Sequence, residues 1–417
     1  MKRTACFCSL VLTVLLVISS ACSQDDQENP GNLEKAKPII LKSEYQEKTV
    51  QDNNFAFDLL KATITAEAKP NVFISPLSVS MALSMALNGA NGATAEEMIQ
   101  ALRLSGYTMA QINDYNKTLR EALLKVDPST ELNIANSIWN KAGFPFVPAF
   151  MHTNQTFYDA EIREMNFSDP ATLTAINGWC SDATKGKISK VLDAIPADAV
   201  SYLINAIYFK GIWKMKFEEK KTVNDRFTTE SGSQQTVKMM RQAEQFGYAS
   251  TGNGGYLRLP YGNEAFQMVV LLPHNGKTVT DMLTEINPET WNSLQYRTCK
   301  VNLKLPRFKA ECSYNMEQTI LPSMGMQKAF DPYQADFSGI SPIPLFISRV
   351  IHKTFVEVNE KGTEAAAVTA VEISLTSAGP LDPDEIDFFV NKPFLFLIRE
   401  NSTGAILFAG KIGEIGD

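Results

Sequence analysis

The stretch Glu360-Lys361-Gly362-Thr363-Glu364-Ala365-Ala366-Ala367-Val368-Thr369-Ala370-Val371-Glu372-Ile373-Ser374-Leu375-Thr376-Ser377 contains no proline and alternates from Thr363 onward. Thr363, Ala365, Ala367, Thr369, Val371, Ile373 and Leu375 are small or apolar, and the residues between them include Glu364, Glu372 and Ser374. This is the period-two pattern of a strand with one buried face. On local grounds a helix competes, because Thr363 can serve as an N-cap and residues 364–367 have good helix propensity. The surroundings decide. A hydrophobic segment, 351–358, precedes the stretch, and Gly379, Pro380 and Pro383 in the following residues 378–387 forbid a regular continuation. A strand-competent segment that ends in an acidic, proline-bearing loop makes sense when it can occupy two places.

The run Glu360-Lys361-Gly362-Thr363-Glu364-Ala365-Ala366-Ala367 resembles the hinge of the reactive loop in inhibitory serpins. Phe389-Val390-Asn391-Lys392-Pro393-Phe394 and Leu407-Phe408-Ala409-Gly410-Lys411-Ile412 resemble that family's C-terminal strands. Their order and spacing make the match specific, and the resemblance extends over nearly all of residues 45–412. It implies an α+β serpin fold, a single domain with three β-sheets and eight to nine helices and an exposed reactive-centre loop.

At 417 residues, 44% of them apolar, with a formal charge of −7, the chain is long enough for a large core. It is not basic, so nucleic acid is not an expected partner. Residues 1–21 carry Lys2 and Arg3, an apolar run to Ile18, and small Ser19, Ser20 and Ala21, the plan of a secretory signal too short to span a membrane. Small residues directly before Cys22 resemble a bacterial lipoprotein box, although Ser19 stands where such boxes more often carry Leu; ordinary secretion is the competing reading. The resemblance implies lipidation at Cys22 and an exported outer-membrane lipoprotein, with the early acidic run resembling a surface-export signal. Several acyl chains would be needed for stable anchoring. Residues 22–44 read as a flexible polar tether and 45–417 as the serpin domain.

With Cys6 and Cys8 in the signal and Cys22 lipidated, Cys180, Cys299 and Cys312 remain. This odd number without CxxC spacing indicates neither a disulfide framework nor a zinc site, though a bridge between Cys299 and Cys312 stays open. His152, His274 and His352 are scattered and none sits in HExxH. Neither a metal nor another cofactor is expected.

Along the chain, residues 53–66 show an amphipathic helical pattern. Residues 72–74 read as a short strand, Ser75 as a cap, Pro76 as the first helical position, and 77–88 as a buried helix. Thr94 to Glu97 reads as a capping box that opens another helix. Residues 132–139 alternate as a strand, and 199–213 are apolar on both faces of a longer one. Strand signals follow at 256–260, 267–272 and 301–308, and helical ones at 279–286 and 315–324, the latter ended by Gly325. In the resemblance, 148–158 is the helix that lies across the largest sheet, and Ile176-Asn177-Gly178-Trp179 with the turn 184–188 matches another helix. Ser75, Ser78, Asn205 and His352 fall at positions of the polar shutter beneath that sheet. Trp213 falls at the breach where the loop enters, and Glu360 with Arg307 matches an ion pair there.

A secreted hydrolase is the obvious enzyme reading, but the chain has no GxSxG elbow and no cysteine in a papain-like or caspase-like context. The second rival is a serpin fold that serves as a carrier or storage protein. Insertion needs residues that pass from solvent into a sheet without bulky or unpaired polar groups, and Thr363, Ala365, Ala366 and Ala367 are all small. The resemblance therefore implies a monomeric suicide inhibitor that partners serine proteases through a covalent acyl complex. Counting from Gly362 as the fifteenth residue before the cut sets the reactive bond between Thr376 and Ser377, with Leu375 the runner-up specificity residue. Thr suits an elastase-like pocket and Leu a chymotrypsin-like or subtilisin-like one, and no Lys or Arg lies between Gly362 and Asp387 to suit trypsin.

Overall fold

The computed structural model describes residues 34–363 and 385–416. In chain order the elements are α1 (Ser43–Glu67), β1 (Val72–Ile74), α2 (Pro76–Leu87), α3 (Gly92–Ala101), α4 (Met109–Leu123), β2 (Glu131–Lys141), α5 (Pro148–Tyr158), β3 (Ala160–Met165), α6 (Pro170–Ala183) and β4 (Ser201–Ile212). They continue with β5 (Val223–Thr228), β6 (Gln234–Ser250), β7 (Gly254–Pro260), β8 (Phe266–Pro273), α7 (Val279–Glu285), α8 (Pro288–Ser293), β9 (Arg297–Pro306), β10 (Phe308–Asn315) and α9 (Ile320–Ser323). Last come β11 (Ile351–Asn359), β12 (Gly362–Thr363), β13 (Ile386–Phe389), β14 (Phe394–Glu400) and β15 (Ile406–Ile412). Among the described residues these are nine helices and fifteen strands in an α+β arrangement.

Six strands form one sheet in the order β10-β11-β12-β4-β2-β3. The other nine form a second hydrogen-bonded network in which β6 is the joint: its first part pairs β5, its middle β9, and its last four residues β7. The portion β5-β6-β9-β13 and the portion β7-β8-β14-β15-β1 are thus two sheets sharing one long strand, which brings the expected three sheets into two continuous networks. Helix α2 lies between the networks, packed on β4 and on β15. It is buried nearly all round, the environment its apolar sequence requires. Its start follows the local chemistry: Ser75 is extended, its hydroxyl accepts from the Ser78 N–H, and Pro76 occupies the first turn.

Several local expectations are corrected. Thr94 does not cap a helix. Helix α3 begins at Gly92, and the Thr94 hydroxyl, two residues inside it, instead accepts from the Asp336 N–H at 2.9 Å. Helix α5 packs on α4 and β3, whereas α6 packs on β2 and β4 with Ile176 and Cys180 meeting Trp139 and Ile204. The helix across the six-stranded sheet is therefore α6, not residues 148–158. The segment 315–324 is mostly not helical: β10 runs on to Asn315 because each of its residues is paired to β11, leaving only the short α9. Cys299 and Cys312 lie on different sheets and are not joined by a disulfide. The tether ends earlier than residue 44, since Leu41 is buried and the Ala36 N–H donates to the Asn263 carbonyl at 2.9 Å.

Candidate functional site

The two-residue strand β12 is the centre of the site. It is antiparallel to both neighbours, with Gly362 opposite Asn359 and Ile212, and Thr363 opposite Val358 and Gly211. A Cβ at position 362 would lie 2.0 Å from the Gly211 carbonyl oxygen, so only glycine lets the β4 backbone come this close. Thr363 is already inside the sheet at 3% exposure, its hydroxyl paired with Tyr261. Tyr261 stacks on Trp213 with ring centroids 4.4 Å apart. Trp213 in turn donates its indole N–H to the Asn359 carbonyl at 2.9 Å. The rings and the hydroxyl pair form a wall at the point where the chain turns from β11 into β12.

Glu360 sits in that turn. It is 3% exposed, and one carboxylate oxygen accepts from Arg307 Nε at 2.8 Å and from the Thr222 hydroxyl at 2.5 Å. Burial pushes its pKa up, but the Arg307 and Thr222 donors outweigh that and hold the carboxyl below its ordinary range. The two partners differ in exposure. The Arg307 side chain is 43% exposed.

Below β12, β4 and β11 flank a gap. Among the described residues they are bridged only through β12, and a cavity of about 370 Å³ opens where they part, lined by Ser78, Leu203, Asn205 and His352 among others. His352 accepts from the Ser75 N–H at Nε2, 2.9 Å away, and burial lowers its pKa to about 3, so it is neutral. The Ser75 hydroxyl donates to the Leu407 carbonyl at 2.7 Å, tying the α2 start to the second network. Asn205 does not bond to His352. The strands are apart here, and its Nδ2 donates across to Asn136 on β2 at 2.7 Å, leaving its buried Oδ1 without a partner among the described residues.

Ser78, Asn205 and His352 thus line one cavity, with Ser75 bonded to His352, whereas Glu360, Gly362, Thr363, Trp213 and Arg307 gather around β12, farther along the same two strands. Glu364, Ala365, Ala366, Ala367, Leu375, Thr376, Ser377 and Cys22 lie outside the described residues. Sequence reading missed Tyr261, Thr222, Gly211 and Asn136. Each is ordinary in its local context and comes to the site only through strand pairing or a turn.

As for hydrolysis, Ser250 lies 3.1 Å from His274 Nε2, but the pair is exposed and no carboxylate is bonded to that imidazole among the described residues. The third group that would orient a general base is missing. Among the described residues no His, Cys, Asp and Glu cluster is arranged to hold a metal ion, and no helix is long and apolar enough to cross a membrane.

A fold in which a strand begins between two others above an unpaired gap is that of the serpins, and the comparisons agree. The sequence model of that family, Serpin (serine protease inhibitor), matches residues 50–415. Human Serpin B8 is 39% identical over 87% of this chain and 98% of its own length. Human leukocyte elastase inhibitor is 36% identical over 87% of this chain and 98% of its own. The native-state structure of tengpin, a thermophilic serpin, superimposes with a TM-score of 0.79 at 33% identity, covering 91% of this chain and 97% of tengpin. Thyroxine-binding globulin complexed with thyroxine gives 0.78 at 27% identity, covering 89% and 100%. The chain belongs to the serpin family, a family of serine protease inhibitors rather than enzymes.

Proposed function

We propose that this chain inhibits serine proteases as a suicide substrate, its cleaved loop inserting between β4 and β11. The observation that carries this reading is that Gly362 and Thr363 already occupy the strand position between them while, among the described residues, the gap below is unpaired. In an antiparallel ladder each step forward along one strand is a step back along its partner. Continuing the register of Thr363 would bring Ala365 opposite Val356 and Phe209, Ala367 opposite Thr354 and Ile207, and Thr369 opposite His352 and Asn205. Residues directly opposite share a face, so the same continuation turns the odd-numbered side chains inward with Thr363. Alanines then meet the bulky partners, and the Thr369 hydroxyl arrives at the Asn205 oxygen that lacks a donor. Small inward residues and one placed hydroxyl support insertion over the carrier reading, which needs no such pattern.

The protease attacks the bond between Thr376 and Ser377, or the one after Leu375, and forms its acyl-enzyme. Insertion of about 14 residues at roughly 3.3 Å each carries it several tens of ångströms. Its catalytic groups leave register before water can deacylate them, since small misplacements cost large factors in rate. An elastase-like target fits Thr376, and one relative is named for inhibiting leukocyte elastase. The protein acts as a monomer, exported and held at the outer membrane through lipid on Cys22. Incubation of residues 34–417 with elastase-like, chymotrypsin-like and subtilisin-like proteases tests the reading. An SDS-resistant complex with a new N-terminus at Ser377 or Thr376 is expected; clean turnover by every protease, with no complex, overturns it.

A further inference from the structure

Before α1 the chain crosses the ends of two hairpins. The Ala36 N–H donates to the Asn263 carbonyl in the β7–β8 turn at 2.9 Å, and the Ile39 N–H donates to the Ser402 hydroxyl in the β14–β15 turn at 2.9 Å. The turns are themselves joined, the Asn401 N–H donating to the Ala265 carbonyl at 2.7 Å. Ile39 packs on the large core and Leu41 is buried, while Ile40 between them is turned to solvent. It is 90% exposed, whereas the other exposed large aliphatics of the described residues, Leu124, Val223 and Ile343, reach no more than 45%.

A single exposed aliphatic is ordinary on a protein surface, but this one stands among cations. Lys35, Lys37 and Lys42 flank it in sequence, and all three are exposed. Leu124 and Lys125, at the end of α4, belong to the same rim, since the carbonyl of the next residue, Val126, accepts from Asn263 Nδ2 at 3.1 Å. Glu264 takes Lys35 at 3.2 Å and Asp114 takes Lys42 at 2.7 Å, yet both lysine side chains stay mostly in solvent. Lys37 and Lys125 have no ion pair among the described residues.

We propose that this rim, residues 35–42 with the end of α4, is the face on which the protein lies against an anionic lipid surface. The inference rests on the reading of Cys22 as the lipid-bearing residue. Cys22 stands twelve residues before Glu34, so the tether spans about 40 Å at most, and the first docked residues it leads to are those of the rim. Acyl chains on Cys22 hold the rim within that distance of the headgroups. Ile40 then enters the boundary between headgroups and acyl chains, and each lysine near the anionic headgroups adds about fivefold to the partition. The β7–β8 turn that receives Ala36 begins at Tyr261, the partner of Thr363, so the contact keeps the β12 end of the body toward the membrane.

Co-sedimentation with vesicles tests the rim apart from the anchor. The protein is the chain from residue 22 onward with Cys22→Ala, which carries no lipid, and the probes are vesicles of phosphatidylcholine with and without phosphatidylglycerol. Binding to the phosphatidylglycerol vesicles is expected to be about tenfold tighter or more. Lys37→Gln and Ile40→Asn, both at exposed positions where the fold has nothing to lose, should each weaken it by about fivefold, and Lys185→Gln, far from the rim, should leave it unchanged. No binding to the phosphatidylglycerol vesicles overturns the proposal, as does equal binding to both compositions or parental binding by Lys37→Gln and Ile40→Asn. Because this protein has no acyl chain, a failure here leaves the lipid on Cys22 standing, and a failure of the lipid reading in cell fractionation leaves this binding standing.

Discussion

Replacing Thr363 with Arg separates insertion from cleavage. Thr363 is 3% exposed, flanked by Gly211 on β4 and Val358 on β11, with its hydroxyl on Tyr261, which itself stacks on Trp213. An arginine here has no carboxylate to meet, and burying an unpaired cation costs several kcal/mol even after relaxation. The side chain will instead stay in solvent, so β12 will not form and the first step of insertion will carry that cost. A barrier raised by about 3 kcal/mol slows insertion on the order of 100-fold. The reactive bond is unchanged, so the protease should still cut it, and deacylation then wins over translocation. On an SDS gel with an elastase-like protease, the parent should give a covalent complex and Thr363→Arg cleaved inhibitor with active protease. Thr363→Val is the control: it keeps the shape, leaves the Tyr261 hydroxyl unpaired at a cost of about 1–3 kcal/mol, and should still trap. Trapping by Thr363→Arg with the parent's stoichiometry would refute the assignment of β12 as the start of insertion.

Cleavage in the loop should raise the melting temperature in calorimetry, because ladder hydrogen bonds are added and Val371 and Ile373 are buried at about 1.5–3 kcal/mol each; an unchanged midpoint favours the carrier. Glu360→Lys puts a cation at a 3%-exposed position beside Arg307, turning an attraction into a repulsion, and should polymerise on mild heating in native gels more readily than the parent. Because the folded pKa of Glu360 is depressed, its contribution is present above the ordinary carboxyl range and is lost as pH falls through the folded value; polymer formation should quicken there, and less so in Glu360→Gln. His352 has the opposite chemistry but the same direction: with its folded pKa lowered to about 3, the unfolded chain binds a proton first, so stability falls as pH drops from about 6.5 toward 3, and the melting temperature of His352→Gln should depend less on pH in that window. Cys22→Ala should move the protein from the membrane to the soluble fraction, and unchanged fractionation would contradict the lipid anchor.

The sequence by itself determined what depends on neighbouring residues. The Ser75 cap, Pro76 and the all-round apolar helix that follows were legible because capping and amphipathicity act over one or two turns. The family was legible through motifs whose order survives without coordinates. Tertiary structure decided what depends on pairing across long separations. Residues 315–324 look helical, yet Asn315 belongs to a strand because β11, some thirty-five residues later, pairs with it. That α6 and not α5 crosses the sheet followed from which apolar face met Trp139 and Ile204. Asn205 and His352 were assigned to one polar cluster, but the spacing of β4 and β11 turns Asn205 to Asn136 and leaves an oxygen open. Tyr261 gave no local sign of its role, because only the approach of β12 brings Thr363 to its hydroxyl. Local chemistry reaches a few residues along the chain, whereas the register of one strand on another is fixed only when the whole sheet closes.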